Sequence, residues 1–131
     1  MKPQQPTLDL TLLPGIYAIC RLPAAARVPD WAMPGDFFSV TRTRDELSVV
    51  CAQQFVPDNV KREAGWACLK VQGPLAFNLT GILVSMASPL AAAGISLFAV
   101  STFDTDYLLV KQGALAKALD ALSAAGHRID G

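Results

Sequence analysis

The clearest pattern in the chain is a run of apolar residues at helical spacing in its second half. Between positions 79 and 90 they recur every three or four residues, which is typical of a helix with one buried stripe. The apolar positions are Leu79, Ile82, Leu83, Met86 and Leu90. Pro89 is expected to bend or end this helix, and Gly94 to stop it.

Strand patterns flank this helix, and a second helix follows them. Ile95 to Thr102 reads as a strand, Phe103 to Thr105 as a corner and Asp106 to Lys111 as the returning strand. The other segments are a strand over 66–71, a helix marked by Leu115, Leu119 and Leu122 and ended by Gly126, and a last strand over 127–129. The order is β-α-β-β-α-β, the ferredoxin-like arrangement.

The first half of the chain is a reduced copy of the second. With a shift of sixty residues, segment 37–50 lies over 97–110 and matches Phe38 with Phe98. The stretches 24–34 and 56–64 are too short for full helices. We therefore predict an α+β fold of two tandem ferredoxin-like units, with antiparallel sheets covered by helices. The expected domains are a trimmed N-terminal unit, 1–64, and a complete C-terminal unit, 65–131.

Composition excludes several classes of partner. The 131 residues are 52% hydrophobic, and eleven Lys and Arg balance eleven Asp and Glu. Without a basic face, nucleic-acid binding is not expected. The uncharged run 71–103 is long enough to span a bilayer, but its Gly and Pro residues divide it, so it indicates a buried interior.

Cysteine and histidine counts argue against a metal site. Three cysteines, far apart in sequence, and a single histidine cannot assemble a zinc site of nitrogen and sulfur ligands. Reduced, buried thiols in a cytosolic protein are the simplest interpretation. His127, at the start of the last strand, is expected at the surface or a sheet edge.

Asp104 and Asp106 are the candidate functional side chains at the predicted hairpin corner. Two interpretations stay open: Asp104 forms an Asx turn, or the pair contacts a ligand. Catalysis is not supported, because no nucleophile–base pair or cofactor motif is present and Ser85 and Ser88 lie in no GxSxG elbow. We expect no enzyme, no cofactor and no metal. The equivalent corner in the first half, Arg42 to Glu46, is interpreted as a solvated turn.

The segment "SPLAAAGISLFAVSTFDTDYLLVKQGALAKALDALSAAGH" (88–127) resembles the small bacterial ACT-domain proteins related to the CASTOR-type amino-acid sensors. The likeness covers most of 66–130 and is looser over 8–52. It implies a cytoplasmic, homo-oligomeric regulatory protein that binds a free amino acid at an interface between paired units or chains. A structural oligomerisation or protein-partner-binding module without a small ligand is the alternative.

The resemblance also implies where the ligand would lie. The implied contacts are Phe77, Asn78, Gly94, Ile95, Ser96, Ser101, Thr102, Phe103, Asp104 and Asp106. Asn78 is expected to cap the helix whose free N–H groups would hold a carboxylate. The two aspartates would receive an ammonium group or a basic side chain. Gln72 departs from the family pattern, which has an acidic residue before the loop glycine.

Overall fold

The computed structural model describes residues 6–75 and 80–130. In chain order the strands are β1 Asp9–Leu12, β2 Tyr17–Leu22, β3 Ser39–Arg42, β4 Leu47–Ala52, β5 Lys61–Val71, β6 Leu97–Ser101, β7 Asp106–Lys111 and β8 Arg128–Asp130. The helices are α1 Ile82–Ala92 and α2 Leu115–Ala124. The α+β fold of two ferredoxin-like units predicted from the sequence is confirmed.

The chain divides into two compact units. One contains residues 15–66, and the other contains residues 1–14 together with 67–131. Strand β5 therefore contributes its first residues to one unit and its last residues to the other. The first fourteen residues belong with the C-terminal residues, because β1 pairs with the end of β5.

The C-terminal unit follows the predicted order β5-α1-β6-β7-α2-β8. Strand β7 pairs with both β5 and β6. The additional strand β1 lies between β5 and β8, antiparallel to the first and parallel to the second. Its residue Leu10 sits opposite Val71 on one side and Ile129 on the other. This inserted strand was not predicted.

A helical layer covers one face of this sheet. The stripe Ile82, Met86 and Leu90 of α1 is buried, as its spacing predicts, while Leu83 is 38% exposed. From α2, Ala118 and Leu122 complete the same apolar core. Burying one such leucine contributes about 2 kcal/mol, so this shared core contributes several such increments to the unit's stability.

The expectation that His127 lies at the surface or an edge is wrong, because its side chain is only 4% exposed. Its Nδ1 accepts from the Leu8 N–H at 3.0 Å, which places the ring proton on Nε2, 2.8 Å from the Ser85 carbonyl oxygen. That carbonyl would accept from residue 89 in a regular helix, but Pro89 has no N–H. The imidazole therefore supplies the donor that the proline removes, which explains how α1 continues past Pro89 to Ala92.

The N-terminal unit keeps the strands of the same fold and replaces the helices. Residues 15–66 contain β2, β3, β4 and the start of β5, with 3-10 turns at Asp30–Ala32 and Gln53–Phe55 between them. Segment 56–64, predicted to be a helical stub, instead enters β5 at Lys61.

Arginine side chains hold the two segments that stand in place of the helices. Arg42 donates to the carbonyl oxygens of Ala24 and Ala26, the latter at 2.7 Å. Arg62 donates to the carbonyls of the turn before β5, including that of Val60 at 3.2 Å. Arg42 is thus a structural residue of the trimmed unit, and not only part of a solvated turn.

All three cysteines are buried free thiols. In the N-terminal unit, the hydrogen bond from the Cys51 thiol lowers the pKa of Cys20, and this bond together with burial raises the pKa of Cys51. Burial alone raises the pKa of Cys68 to about 12. The thiols of Cys51 and Cys68 therefore stay protonated at neutral pH.

Candidate functional site

The predicted corner between β6 and β7 is a four-residue turn, Thr102 to Thr105. The N–H and Oγ1 of Thr102 both donate to the Thr105 carbonyl, at 2.8 and 3.0 Å, and the Thr105 N–H donates to Thr102 Oγ1 at 3.3 Å. The side chain of Asp104 takes no part in these bonds. The Asx-turn interpretation of Asp104 is therefore wrong, because the threonine hydroxyl already closes the turn.

The same corner occurs in the N-terminal unit. Residues Thr43 to Glu46 join β3 to β4, and the Thr43 N–H donates to the Glu46 carbonyl at 2.9 Å. The pairs that flank the turns are Arg42 with Leu47 and Ser101 with Asp106, which fixes the structural offset of the two hairpins at 59 residues. The sequence shift of sixty is therefore wrong by one residue at the corner, where Asp45 corresponds to Asp104.

Two hydrogen bonds attach the C-terminal corner to the end of β5. The buried hydroxyl of Thr105 donates to the Val71 carbonyl at 2.7 Å, and the Leu75 N–H donates to the Asp104 carbonyl at 2.7 Å. Gly73 lies so close that an added Cβ would be 3.0 Å from the Asp104 carbonyl oxygen and 3.1 Å from Thr105 Cβ. A side chain at position 73 would therefore push the corner outward.

A cavity of about 310 Å³ lies beside this corner. Its lining residues are Leu75, Gly81, Ile82, Leu83, Ser101, Thr102, Phe103, Asp104, Thr105 and Asp106. One wall is thus the start of α1 and the other is the corner. The volume is at the lower end of small-molecule sites, which span roughly 300–1,000 Å³.

Half of the predicted ligand contacts come together in this cavity. Ser101, Thr102, Phe103, Asp104 and Asp106 line it. The segment 94–96, which holds Gly94, Ile95 and Ser96, lies at the opposite end of α1 and β6 and is not part of its lining. The predicted contacts Phe77 and Asn78 lie outside the described residues.

The start of α1 differs from the prediction. The helix begins at Ile82, with Gly81 at the N-cap position instead of Asn78. The first N–H of the helix that finds a helical acceptor is that of Ser85, which donates to the Gly81 carbonyl at 2.9 Å. The N–H groups of the preceding turn have no partner within the helix, and two of them belong to the cavity-lining residues Ile82 and Leu83.

The chemistry of the two walls is complementary. Asp104 is exposed and Asp106 is half-buried, and neither carboxylate has a hydrogen bond or ion pair within the part of the chain that the structure describes. N–H groups without an acceptor in the helix, together with the positive end of the helix dipole, favour an anion on the opposite wall. The arrangement can hold a small molecule that carries both a cationic and an anionic group.

The family resemblance also implies that the loop from Gly73 and the corner from Ser101 to Asp106 lie near the ligand. Sequence reasoning missed the Gly81–Leu83 helix start and the hydrogen bonds that attach the corner. Gly81 and the threonine that follows Asp104 were the available signals.

A second cavity of about 390 Å³ shares Leu75 and Ile82 with the first and includes Gln72. Within the described residues, neither helix is long and apolar enough to cross a membrane.

Comparison with known proteins defines the class. The family model for the ACT domain matches residues 61–124, and a family model for an N-terminal domain matches residues 15–59. Residues 61–124 of the chain are therefore identified as an ACT domain. The chain is 49% identical to the protein Atu0741 of Agrobacterium tumefaciens, whose crystal structure it matches with a TM-score of 0.90 over 95% of this chain and 92% of that one.

Two further comparisons concern an arginine sensor and an aspartate kinase. The chain is 29% identical over 129 residues to "Cytosolic arginine sensor for mTORC1 subunit 1" of Pongo abelii, covering 89% of this chain and 38% of that relative. It thus spans well under half of the length of the curated relative that it matches. The aspartate kinase of Clostridium acetobutylicum shares the fold, with a TM-score of 0.64 at 13% identity over 95% of this chain and 36% of that one.

Proposed function

We propose that this chain is a regulatory module that binds a free amino acid in the cavity between the start of α1 and the Thr102–Thr105 corner. The observation that carries the proposal is the pairing of two free carboxylates with the open N–H groups of a helix start across one cavity. An α-amino acid carries both an ammonium and a carboxylate, so its two charges are opposite to those of the two walls.

We further propose that the ligand is a basic amino acid. Two carboxylates exceed what a single α-ammonium requires, and a cationic side chain would use the second one. The similarity to a protein named as an arginine sensor supports this choice. L-arginine is therefore the first probe, with L-lysine as the second and L-aspartate as the oppositely charged comparison.

Several finer expectations belong to the same proposal. They are membership of the small bacterial tandem-ACT group, a cytoplasmic location, a non-enzymatic role, a homo-oligomeric state and a ligand at an interface between paired units or chains. The similarity to named sensors and to the fold of aspartate kinases supports a regulatory role. The predicted division at residues 64 and 65 also remains a proposal.

Isothermal titration calorimetry with L-arginine tests the proposed site. The paired change Asp104→Asn with Asp106→Asn removes both charges and keeps the side-chain size. It is expected to weaken binding by roughly 10- to 100-fold, since each hydrogen bond to a charged group contributes about 1.5–3 kcal/mol. The matched control is Asp45→Asn with Glu46→Gln in the equivalent corner of the N-terminal unit, which should bind like the wild type. An equal loss of L-arginine affinity in both variants would contradict the assignment of Asp104 and Asp106 to the site.

A second candidate function is an oligomerisation or partner-binding module without a small ligand. It is favoured by α1, which is uncharged throughout and leaves Leu83 and Val84 38% and 54% exposed. Size measurements at several protein concentrations, with and without amino acids, separate the two functions. Self-association that no amino acid changes, with a flat calorimetric response, would favour this second function.

A further inference from the structure

The corner that carries the two carboxylates is attached both to the end of β5 and to the loop that follows it. Asp104 accepts a hydrogen bond from Leu75 through its carbonyl, so the residue that presents a carboxylate is also bonded to the opposite loop. The next residue, Thr105, is 4% exposed and donates to the end of β5. Gly73 leaves the space that both contacts require.

We propose that Thr105 and Gly73 are positioning residues of the amino-acid site: they hold Asp104 and Asp106 at a fixed distance from the cavity wall formed by Leu75 and the start of α1. This inference rests on the proposed function. Thr105 is not expected to contact the ligand. It acts through the corner, because its hydroxyl fixes the turn between the two aspartates.

The N-terminal unit provides an internal comparison. Its corner has the same threonine-closed turn, but Glu46 occupies the position of Thr105. The Asp45 carbonyl accepts from the exposed guanidinium of Arg21 at 2.9 Å, where the Asp104 carbonyl accepts from a backbone N–H. The turn is therefore common to both units, whereas the buried threonine and the backbone bond are specific to the unit that contains the cavity.

Binding geometry depends on this attachment for a physical reason. A four-residue turn on an exposed hairpin has many accessible conformations. A ligand that had to order it would bind more weakly, because ordering the turn costs conformational entropy. Two short bonds to the end of β5 and the following loop limit this freedom before a ligand arrives. Thr105→Val removes only the hydroxyl and retains the β-branched shape. Thr105→Ser keeps the donor.

The first arm of the test measures L-arginine affinity by calorimetry. Thr105→Val is expected to weaken binding about tenfold, which is the value of one hydrogen bond of ordinary strength, whereas Thr105→Ser should restore most of the affinity. Gly73→Ala should weaken binding as well, because its methyl displaces the corner. Thr41→Val, the same chemical change at an exposed position of β3, serves as the control.

The second arm needs no ligand. Amide hydrogen exchange at Leu75 reports whether its bond to the Asp104 carbonyl is kept. Exchange should accelerate about tenfold in Thr105→Val and remain near wild type in Thr105→Ser and Thr41→Val. The Leu122 amide in α2 monitors global unfolding and should not change in any variant.

The outcomes separate this inference from the proposed function. If the wild type binds neither L-arginine nor any other amino acid, the proposed function is overturned, and the inference with it. Wild-type binding that Thr105→Val leaves unchanged overturns the inference alone. An equal acceleration at Leu75 and Leu122 would also overturn it, because Thr105 would then act on global stability and not on the corner.

Discussion

His127 shows how one buried side chain can join two distant segments of the fold. Its two ring nitrogens satisfy the Leu8 N–H of the N-terminal segment and the Ser85 carbonyl that Pro89 leaves without its usual donor. Both groups are backbone atoms in the interior of the unit, where an unpaired polar group is costly. The imidazole is therefore a structural requirement of α1 and β1 together.

Replacing His127 by Ala should lower the free energy of unfolding by about 2–4 kcal/mol, because two buried backbone groups lose their partner. Urea denaturation measures the change. In a Pro89→Ala background the loss should be smaller, since residue 89 would then donate to the Ser85 carbonyl. Equal losses in both backgrounds would show that the imidazole does not replace the missing helical donor.

Cys68 makes stability sensitive to alkaline pH. Its folded pKa is raised to about 12 from an ordinary value of 9.0, so the unfolded state loses the proton first as pH rises. The contribution is fully present below pH ~9 and is lost progressively up to pH ~12. At pH 10, the wild type should have lost about 1.4 kcal/mol more, relative to pH 8, than Cys68→Ala. If urea denaturation shows that both proteins lose the same free energy of unfolding between pH 8 and pH 10, this prediction is contradicted.

At the scale of elements, the N-terminal unit retains its strands although its helices are absent from the described residues. Its apolar core includes buried residues of β2 and β4, and the connecting loops close over this core. Arg42 fixes the first loop through the carbonyls of Ala24 and Ala26, and Arg62 fixes the turn before β5. Planar guanidinium groups suit this role because one side chain serves several carbonyls.

Arg42→Ala should release the loop that follows β2. The Ala26 N–H donates to the Pro23 carbonyl at 2.9 Å, so its exchange rate reports the order of this loop. We expect exchange at Ala26 to accelerate roughly tenfold, with β2 and β4 unchanged. Arg44→Ala, two residues along in the exposed corner, is the control and should have no effect. If exchange at Ala26 accelerates equally in both variants, the positive charge and not the hydrogen bonds of Arg42 orders the loop.

Local patterns were sufficient to predict α1, α2 and the β6–β7 hairpin. The apolar stripe of Ile82, Met86 and Leu90 and the corner residues between two strands carry this information within short windows. Strand β1 could not be predicted in this way, because its pairing with β5 and β8 depends on contacts more than fifty residues away. The burial of His127 has the same origin, since its partners are 119 and 42 residues distant.

At the scale of the whole molecule, the two units are versions of one β-x-β-β-x-β order with different connections. The C-terminal version has both helices and the cavity, and the N-terminal version has arginine-held loops. The candidate site was predictable as far as the corner residues, which the family resemblance marks. The helix start and the Thr105 attachment could not be predicted, because they depend on where α1 begins and on the close approach of Gly73 to the corner.

The most direct test of amino-acid binding is a nitrogen-15 NMR titration of the full chain with L-arginine. We expect saturable shifts concentrated at the amides that line the cavity, on the helix start Ile82 and Leu83 and on the corner from Ser101 to Asp106. The equivalent Thr43–Glu46 corner should not respond. A spectrum that L-arginine and the other amino acids leave unchanged, or one that changes only outside this cavity, would contradict amino-acid binding at this site.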